Sequence, residues 1–138
     1  MEHPWQPDLV LWQVANDPRD RAILEVFYAI GIRRSELVNL QLEDIQRSSQ
    51  CLRIRQGKGR RDRVVPLSDS ALEWIEQYLE RVRPSLVRLT GEPSEVLFLT
   101  SLGNVFHPVV LSALVRRYLT AAGIRKRGSC HLLRHSAA

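Results

Sequence analysis

The chain has 138 residues, 44% of them hydrophobic, with 20 Lys and Arg against 15 Asp and Glu, a formal charge of +5 and a pI near 9.9. That length supports one domain with a real core rather than two, and the basic balance favours a polyanionic partner. The start, Met1-Glu2-His3-Pro4-Trp5, carries no basic region followed by an apolar run, and no stretch of eighteen apolar residues occurs, so neither export nor a membrane-spanning helix is expected.

The positive charge is unevenly placed. Residues 1–50 and 64–100 each carry a net charge of −3, residues 51–63 carry +5, and residues 101–138 carry +6 without a single acid. Eighteen of the basic residues are Arg, leaving Lys58 and Lys126 as the only lysines. Cys51 and Cys130 form no CxxC pair, so reduced thiols in a cytosolic protein are expected.

In chain order, residues 7–15 read as a short amphipathic helix through Leu9, Val10, Trp12 and Val14. Asn16-Asp17-Pro18 is a helix start, with Asp17 as cap and Asp20 in the first turn. Ile23, Phe27 and Ile30 form its apolar stripe, widened by Leu24 and Val26, and Gly31 supplies a left-handed end. Arg33 therefore follows a helix terminus, and Ser35 is the expected cap of a second short helix through Glu36, Leu37 and Leu40. From about residue 43 to 67 the period becomes two. Leu52 and Ile54 alternate with Cys51, Arg53 and Arg55, and Val65 and Leu67 alternate with Val64 and Pro66. With turns at Ser48-Ser49-Gln50 and Gln56-Gly57-Lys58-Gly59-Arg60, this predicts a three-stranded antiparallel meander with Lys58 at a hairpin tip. Ser68 opens a helix presenting Leu72, Ile75, Leu79 and Val82 to the core, which Pro84 helps to end, and residues 83–93 read as a polar loop. Val96 to Leu99 is a short strand or extended core segment. A helix from about Pro108 presents Val110, Leu111, Leu114, Val115, Tyr118 and Leu119 and ends at Gly123, and a further helix begins near His131. The fold class expected is α+β: mainly helical, with one small antiparallel sheet, in a single domain over residues 1–138.

Arginine and histidine side chains stand among apolar residues in two distant stretches, Gly31-Ile32-Arg33-Arg34-Ser35-Glu36-Leu37 and His131-Leu132-Leu133-Arg134-His135. A guanidinium stays charged at every working pH and offers a planar fork of donors, which suits bidentate capture of phosphate or carboxylate. Zinc is the other reading of His131 and His135, four apart on one helix face, but no third ligand and no HExxH glutamate accompany them. Arg33 alone could equally be a charge meeting a helix C-terminus. Lys58 alone could be merely exposed. Arg53, Arg55, Arg60, Arg61 and Arg63 are either a solvated face or a run of side chains tracking a phosphate backbone.

In this order the segments GIRRSEL (31–37), IRQGKGRRDRVVPL (54–67) and HLLRHSAA (131–138) resemble the tyrosine recombinases, or phage integrase family, from about residue 17 onward. Each motif is weak singly; in order and at these separations they are specific. The resemblance implies attack of a tyrosine on a DNA phosphodiester, giving a 3′-phosphotyrosyl link and a 5′-hydroxyl, with no metal and no cofactor. It implies Arg33 and Arg134 as stabilisers of charge on the phosphate, Lys58 as donor to the leaving 5′ oxygen, and His131 as phosphate ligand or proton acceptor. Glu36 and His135 would support the site, and Arg34, Arg53, Arg55, Arg60, Arg61 and Arg63 would meet the DNA backbone. Double-stranded DNA and other recombinase protomers in a synaptic assembly are the implied partners, with no membrane or small-molecule substrate, in a cytoplasmic, nucleoid-associated setting. Against the family pattern, the sequence shows no N-terminal clasping domain and stops within the last motif, before the family's nucleophile. Tyr28, Tyr78 and Tyr118 do not match that position. The sequence is therefore expected to hold the phosphate-binding part of the site without its nucleophile, and to bind DNA without cutting it alone. The alternative is a non-catalytic DNA-binding module or dominant-negative partner of a full-length recombinase.

Overall fold

The computed structural model describes residues 15–55 and 61–123. Helix α1 (Pro18–Ile30) begins as the sequence requires: Asp17 Oδ1 accepts the Asp20 N–H at 3.1 Å and Pro18 occupies the first turn. It ends at Gly31, whose φ of 70° lies in the left-handed region and whose N–H reaches the Phe27 carbonyl. The next helix, α2 (Arg34–Val38), starts two residues earlier than expected. Arg33 rather than Ser35 is its N-terminal boundary residue. The Arg33 N–H is satisfied by the Glu36 carboxylate at 2.9 Å, so an acid three residues into the helix replaces the hydroxyl cap.

A 3₁₀ turn (Leu42–Asp44) leads into the sheet, β1 (Ile45–Gln46), β2 (Cys51–Ile54) and β3 (Arg63–Pro66), an antiparallel meander in the order β1-β2-β3. Ile45 pairs with Leu52, Leu52 with Val65, and Ile54 with Arg63. Directly paired residues share a face, so Ile45, Leu52, Ile54, Val65 and Arg63 lie on the core side. Arg53, opposite the exposed Val64, lies on the outer side.

Helix α3 (Asp69–Arg81) is capped by Ser68, whose Oγ accepts the Ala71 N–H at 3.0 Å. Its most deeply buried side chains are Ala71, Ile75 and Tyr78, while Leu72, Leu79 and Val82 flank them half-buried. The stripe is thus rotated slightly from the expected one. Residues 83–93 are not a plain loop. Arg83–Thr90 form helix α4, and Pro84 sits in its first turn, where a missing N–H costs nothing, so it opens this helix rather than only ending the last. Buried Arg83 donates to the carbonyls of Ser94 and Val96, both at 2.7 Å, and pins the returning chain. Gly103 closes the next turn at φ 82°; a Cβ there would stand 2.3 Å from the Leu86 carbonyl oxygen. Helix α5 (Pro108–Ala121) buries Leu111, Leu114, Val115 and Leu119, whereas Val110, expected inside, is half-exposed because it lies beyond that stripe.

One core joins these parts: α1 packs on α3, α2 on α5, and the extended segment Leu97-Phe98-Leu99 runs through the middle. Tyr78 holds that segment, its hydroxyl donating to the Leu97 carbonyl at 2.8 Å and accepting the Leu99 N–H at 3.0 Å. Among the described residues no helix is long and apolar enough to cross a membrane. The predicted helices at 7–15 and from His131 lie outside the described residues.

The hydroxyl of Tyr78 gives a direct test. Tyr78→Phe takes away the hydroxyl that accepts the buried Leu99 N–H, while the Leu97 carbonyl keeps Arg83 Nε at 3.2 Å, and is expected to cost about 1–3 kcal/mol in denaturant unfolding; a change below roughly 0.5 kcal/mol would show that the bridge contributes little. Burial pushes the Tyr78 pKa up to about 12. The unfolded chain therefore releases this proton first, and stability falls as pH rises from the ordinary tyrosine range towards 12. The fall is expected to be shallower in the Phe variant.

Candidate phosphate-binding site

Two local features set Arg33. The left-handed turn at Gly31 reverses the chain after α1, and buried Ile32 fixes it to the core, leaving Arg33 and Arg34 exposed. Glu36, only 8% exposed, then fastens the backbone of Arg33 through its Oε1. Among the described residues no carboxylate pairs with the Arg33 guanidinium. Arg34 behaves differently: its Nη1 donates to the buried Ser112 Oγ at 2.8 Å, tying α2 to α5. Of these two adjacent exposed arginines, Arg34 is thereby braced and Arg33 open.

The arginines of the sheet divide in a way their spacing does not disclose. Arg53 and Arg55 project on the outer face and meet a pair of acids from the 3₁₀ turn. Arg53 Nε donates to Asp44 Oδ1 at 3.0 Å, and Arg55 Nε reaches both Asp44 oxygens at 3.2 and 3.1 Å. Glu43 Oε1 accepts from both arginines, at 3.3 and 2.7 Å. Asp44 is fully buried and its second oxygen also takes the Gln41 N–H at 2.8 Å. Hydrogen bonds to Asp44 first, then to Glu43, hold the Arg55 pKa above its ordinary value. These two cations are neutralised within the fold, although each is still one-third exposed. Arg63, on the core face, points to Glu36 instead, with Nη1 and Nη2 at 3.1 and 3.3 Å from its two oxygens. Arg61 is exposed.

Glu36 is therefore shared between Arg33 and Arg63, so the structure brings three of the named residues together. Asp44 was missed by sequence reading, since an acid at the entry to a strand carries no sign that it will be buried under two arginines. Lys58, Arg60, His131, Arg134 and His135 lie outside the described residues.

The hydroxyls of two tyrosines are already engaged. Tyr78 is enclosed as described, and the Tyr118 hydroxyl donates to Asp20 Oδ2, on a carboxylate that also pairs with Arg19 at 2.7 Å. Burial, then the Asp20 hydrogen bond, raise the Tyr118 pKa, the direction opposite to activation of a phenol as nucleophile. Tyr28 is half-buried against the core.

The model of the phage integrase family matches residues 10–138. Tyrosine recombinase XerC 2 of Ralstonia nicotianae is 43% identical over 120 residues, covering 87% of this chain and 34% of that protein. Tyrosine recombinase XerD of Staphylococcus aureus is 38% identical over 123 residues, covering 89% of this chain and 41% of that protein. The chain thus spans less than half the length of these relatives. Among solved structures, the XerA recombinase superposes with a TM-score of 0.83 at 26% identity, over 99% of this chain and 49% of that one. The XerH site-specific recombinase bound to its difH substrate gives a TM-score of 0.74 at 22% identity, over 94% and 38%, and shares the fold.

The acidic clamp on the sheet makes a separable prediction. Asp44→Asn removes the charge shared by Arg53 and Arg55 and should lower unfolding stability by about 2 kcal/mol, less than the roughly 3–5 kcal/mol of a wholly buried pair because both arginines reach solvent. Equilibrium urea unfolding checks it, and an unchanged midpoint would mean that the clamp is incidental.

Proposed function

The chain belongs to the phage integrase family, the tyrosine recombinases, and from that premise we propose that it binds double-stranded DNA and supplies the phosphate-binding part of a site for site-specific recombination. The observation that carries this reading is the state of Arg33: exposed, without a described carboxylate partner, and with its backbone fixed by a buried acid. A cation held in place but left unneutralised is what capture of an incoming anion requires.

In the proposed reaction a tyrosine oxygen attacks phosphorus, the bond to the 5′ oxygen breaks, and that oxygen leaves protonated. Arg33 and Arg134 take the charge growing on the non-bridging oxygens, Lys58 donates the proton, and His131 hydrogen-bonds the phosphate or receives the phenolic proton. Lysine suits that donor role because its pKa falls near other cations, which a guanidinium's does not do usefully. Arg34, anchored on Ser112, and exposed Arg61 lie against the flanking backbone. Other recombinase protomers complete the assembly. The nucleophile is assigned to none of Tyr28, Tyr78 and Tyr118.

Two measurements test this. Binding of a duplex should weaken steeply with salt, and Arg33→Gln should lower affinity about tenfold and reduce the slope of log K against log salt by about one; salt-independent binding would contradict the proposal. On a nicked trapping duplex no covalent adduct is expected at Tyr28, Tyr78 or Tyr118, and a peptide map locating one there would overturn the assignment.

A further inference from the structure

Arg63 falls in the basic run of the hairpin, yet the register of the sheet sets it apart from its neighbours. It pairs with Ile54 and shares the core-facing side with Leu52 and Val65, whereas Arg53 shares the outer side with exposed Val64. Its guanidinium grips both oxygens of Glu36, at 3.1 and 3.3 Å, and Glu36 is 8% exposed. One of those oxygens, Oε1, also accepts the Arg33 N–H at 2.9 Å. A single carboxylate thus links the first residue of β3 to the backbone of the exposed arginine.

From this geometry we infer that Arg63 is a positioning residue, not a DNA contact: through Glu36 it fixes the place of Arg33 relative to the sheet. The inference rests on the proposed role of Arg33. A carboxylate accepting from one backbone N–H alone can rotate about its side-chain torsions, and its position then leaves Arg33 free to drift. A two-pronged guanidinium removes that freedom, because both oxygens are held in one plane. The second clamp, Asp44 with Arg53 and Arg55, acts on the neighbouring strand, so both strands of this hairpin are tied to acids from the preceding segment. Precise placement matters for a group meeting a transition state, since an ångström of misplacement weakens the interaction severely.

The test uses this chain with Arg63→Gln, Arg63→Lys, Glu36→Gln and the Gln/Gln double variant. Without DNA, the Arg33 backbone amide resonance is expected to move in Arg63→Gln and in Glu36→Gln, and to return most of the way in Arg63→Lys. With duplex DNA, Arg63→Gln should weaken binding about fivefold with the salt slope unchanged. The double variant should be no weaker than Glu36→Gln, the mark of two residues acting as one unit. An unmoved Arg33 amide, or a slope reduced by about one in Arg63→Gln, would overturn the inference and return Arg63 to the phosphate backbone. Should Arg63→Gln fail to fold, Arg63→Lys alone decides, its Arg33 amide displaced slightly if the inference holds and unmoved if it does not. Failure of the unaltered chain to bind DNA would defeat the proposed function, while the amide measurement would still judge the link between Arg63 and Arg33.

Discussion

The carboxylate of Glu36 is the constraint on which the rest of the site depends. Burying an acid is costly unless its charge and lone pairs are satisfied, and here they are met by a backbone N–H on one side and a guanidinium on the other. The same pairing that makes the burial tolerable also brings two distant pieces of chain into register. Glu36 links the backbone of Arg33, after α1, to Arg63 at the start of β3. In the proposed reading the site gains rigidity at its base from this link, while the exposed Arg33 guanidinium stays open to a ligand.

The basic residues, which dominate the composition, are not equivalent. Arg19 pairs with Asp20, Arg21 with Glu25, Arg47 with Glu76, Arg53 and Arg55 with Glu43 and Asp44, and Arg63 with Glu36. Arg83 spends its donors on carbonyl oxygens. These residues hold the fold. Among the described residues Arg33, Arg61, Arg81, Arg88, Arg116 and Arg117 are exposed and pair with no carboxylate. The net charge of +5 therefore says less about binding than the pairing does.

Much of the architecture was legible in the sequence because local signals there agree with the tertiary result. Asp17-Pro18 and Gly31 bracket α1, Ser68 opens α3, and alternation over residues 51–67 specifies the meander. Helix α4 was obscured by the Pro and Gly at its ends, which look like loop chemistry until Pro84 is recognised as a first-turn residue. The start of α2 was shifted because Glu36 competes with Ser35 for the capping role and reaches the earlier N–H. For Arg63 the signal was present but outweighed: the period that puts Val65 and Leu67 on the core-facing side puts residue 63 on that side too, with its side chain still 39% exposed, while its basic neighbours invite reading it with them. The burial of Asp44 had no local signal, since it arises only when the 3₁₀ turn meets the outer face of β2. Of the site, the Arg33 and Glu36 pair is described in place.

The central claim is that Arg33, and not the paired arginines of the sheet, receives the DNA phosphate. Following the Nε–H resonances of the arginine side chains by NMR while titrating in a short duplex tests it most directly. The account predicts the largest displacement at Arg33, with Arg53 and Arg55 nearly still because Asp44 and Glu43 already hold them. Large displacements at Arg53 and Arg55 with Arg33 unmoved would contradict it.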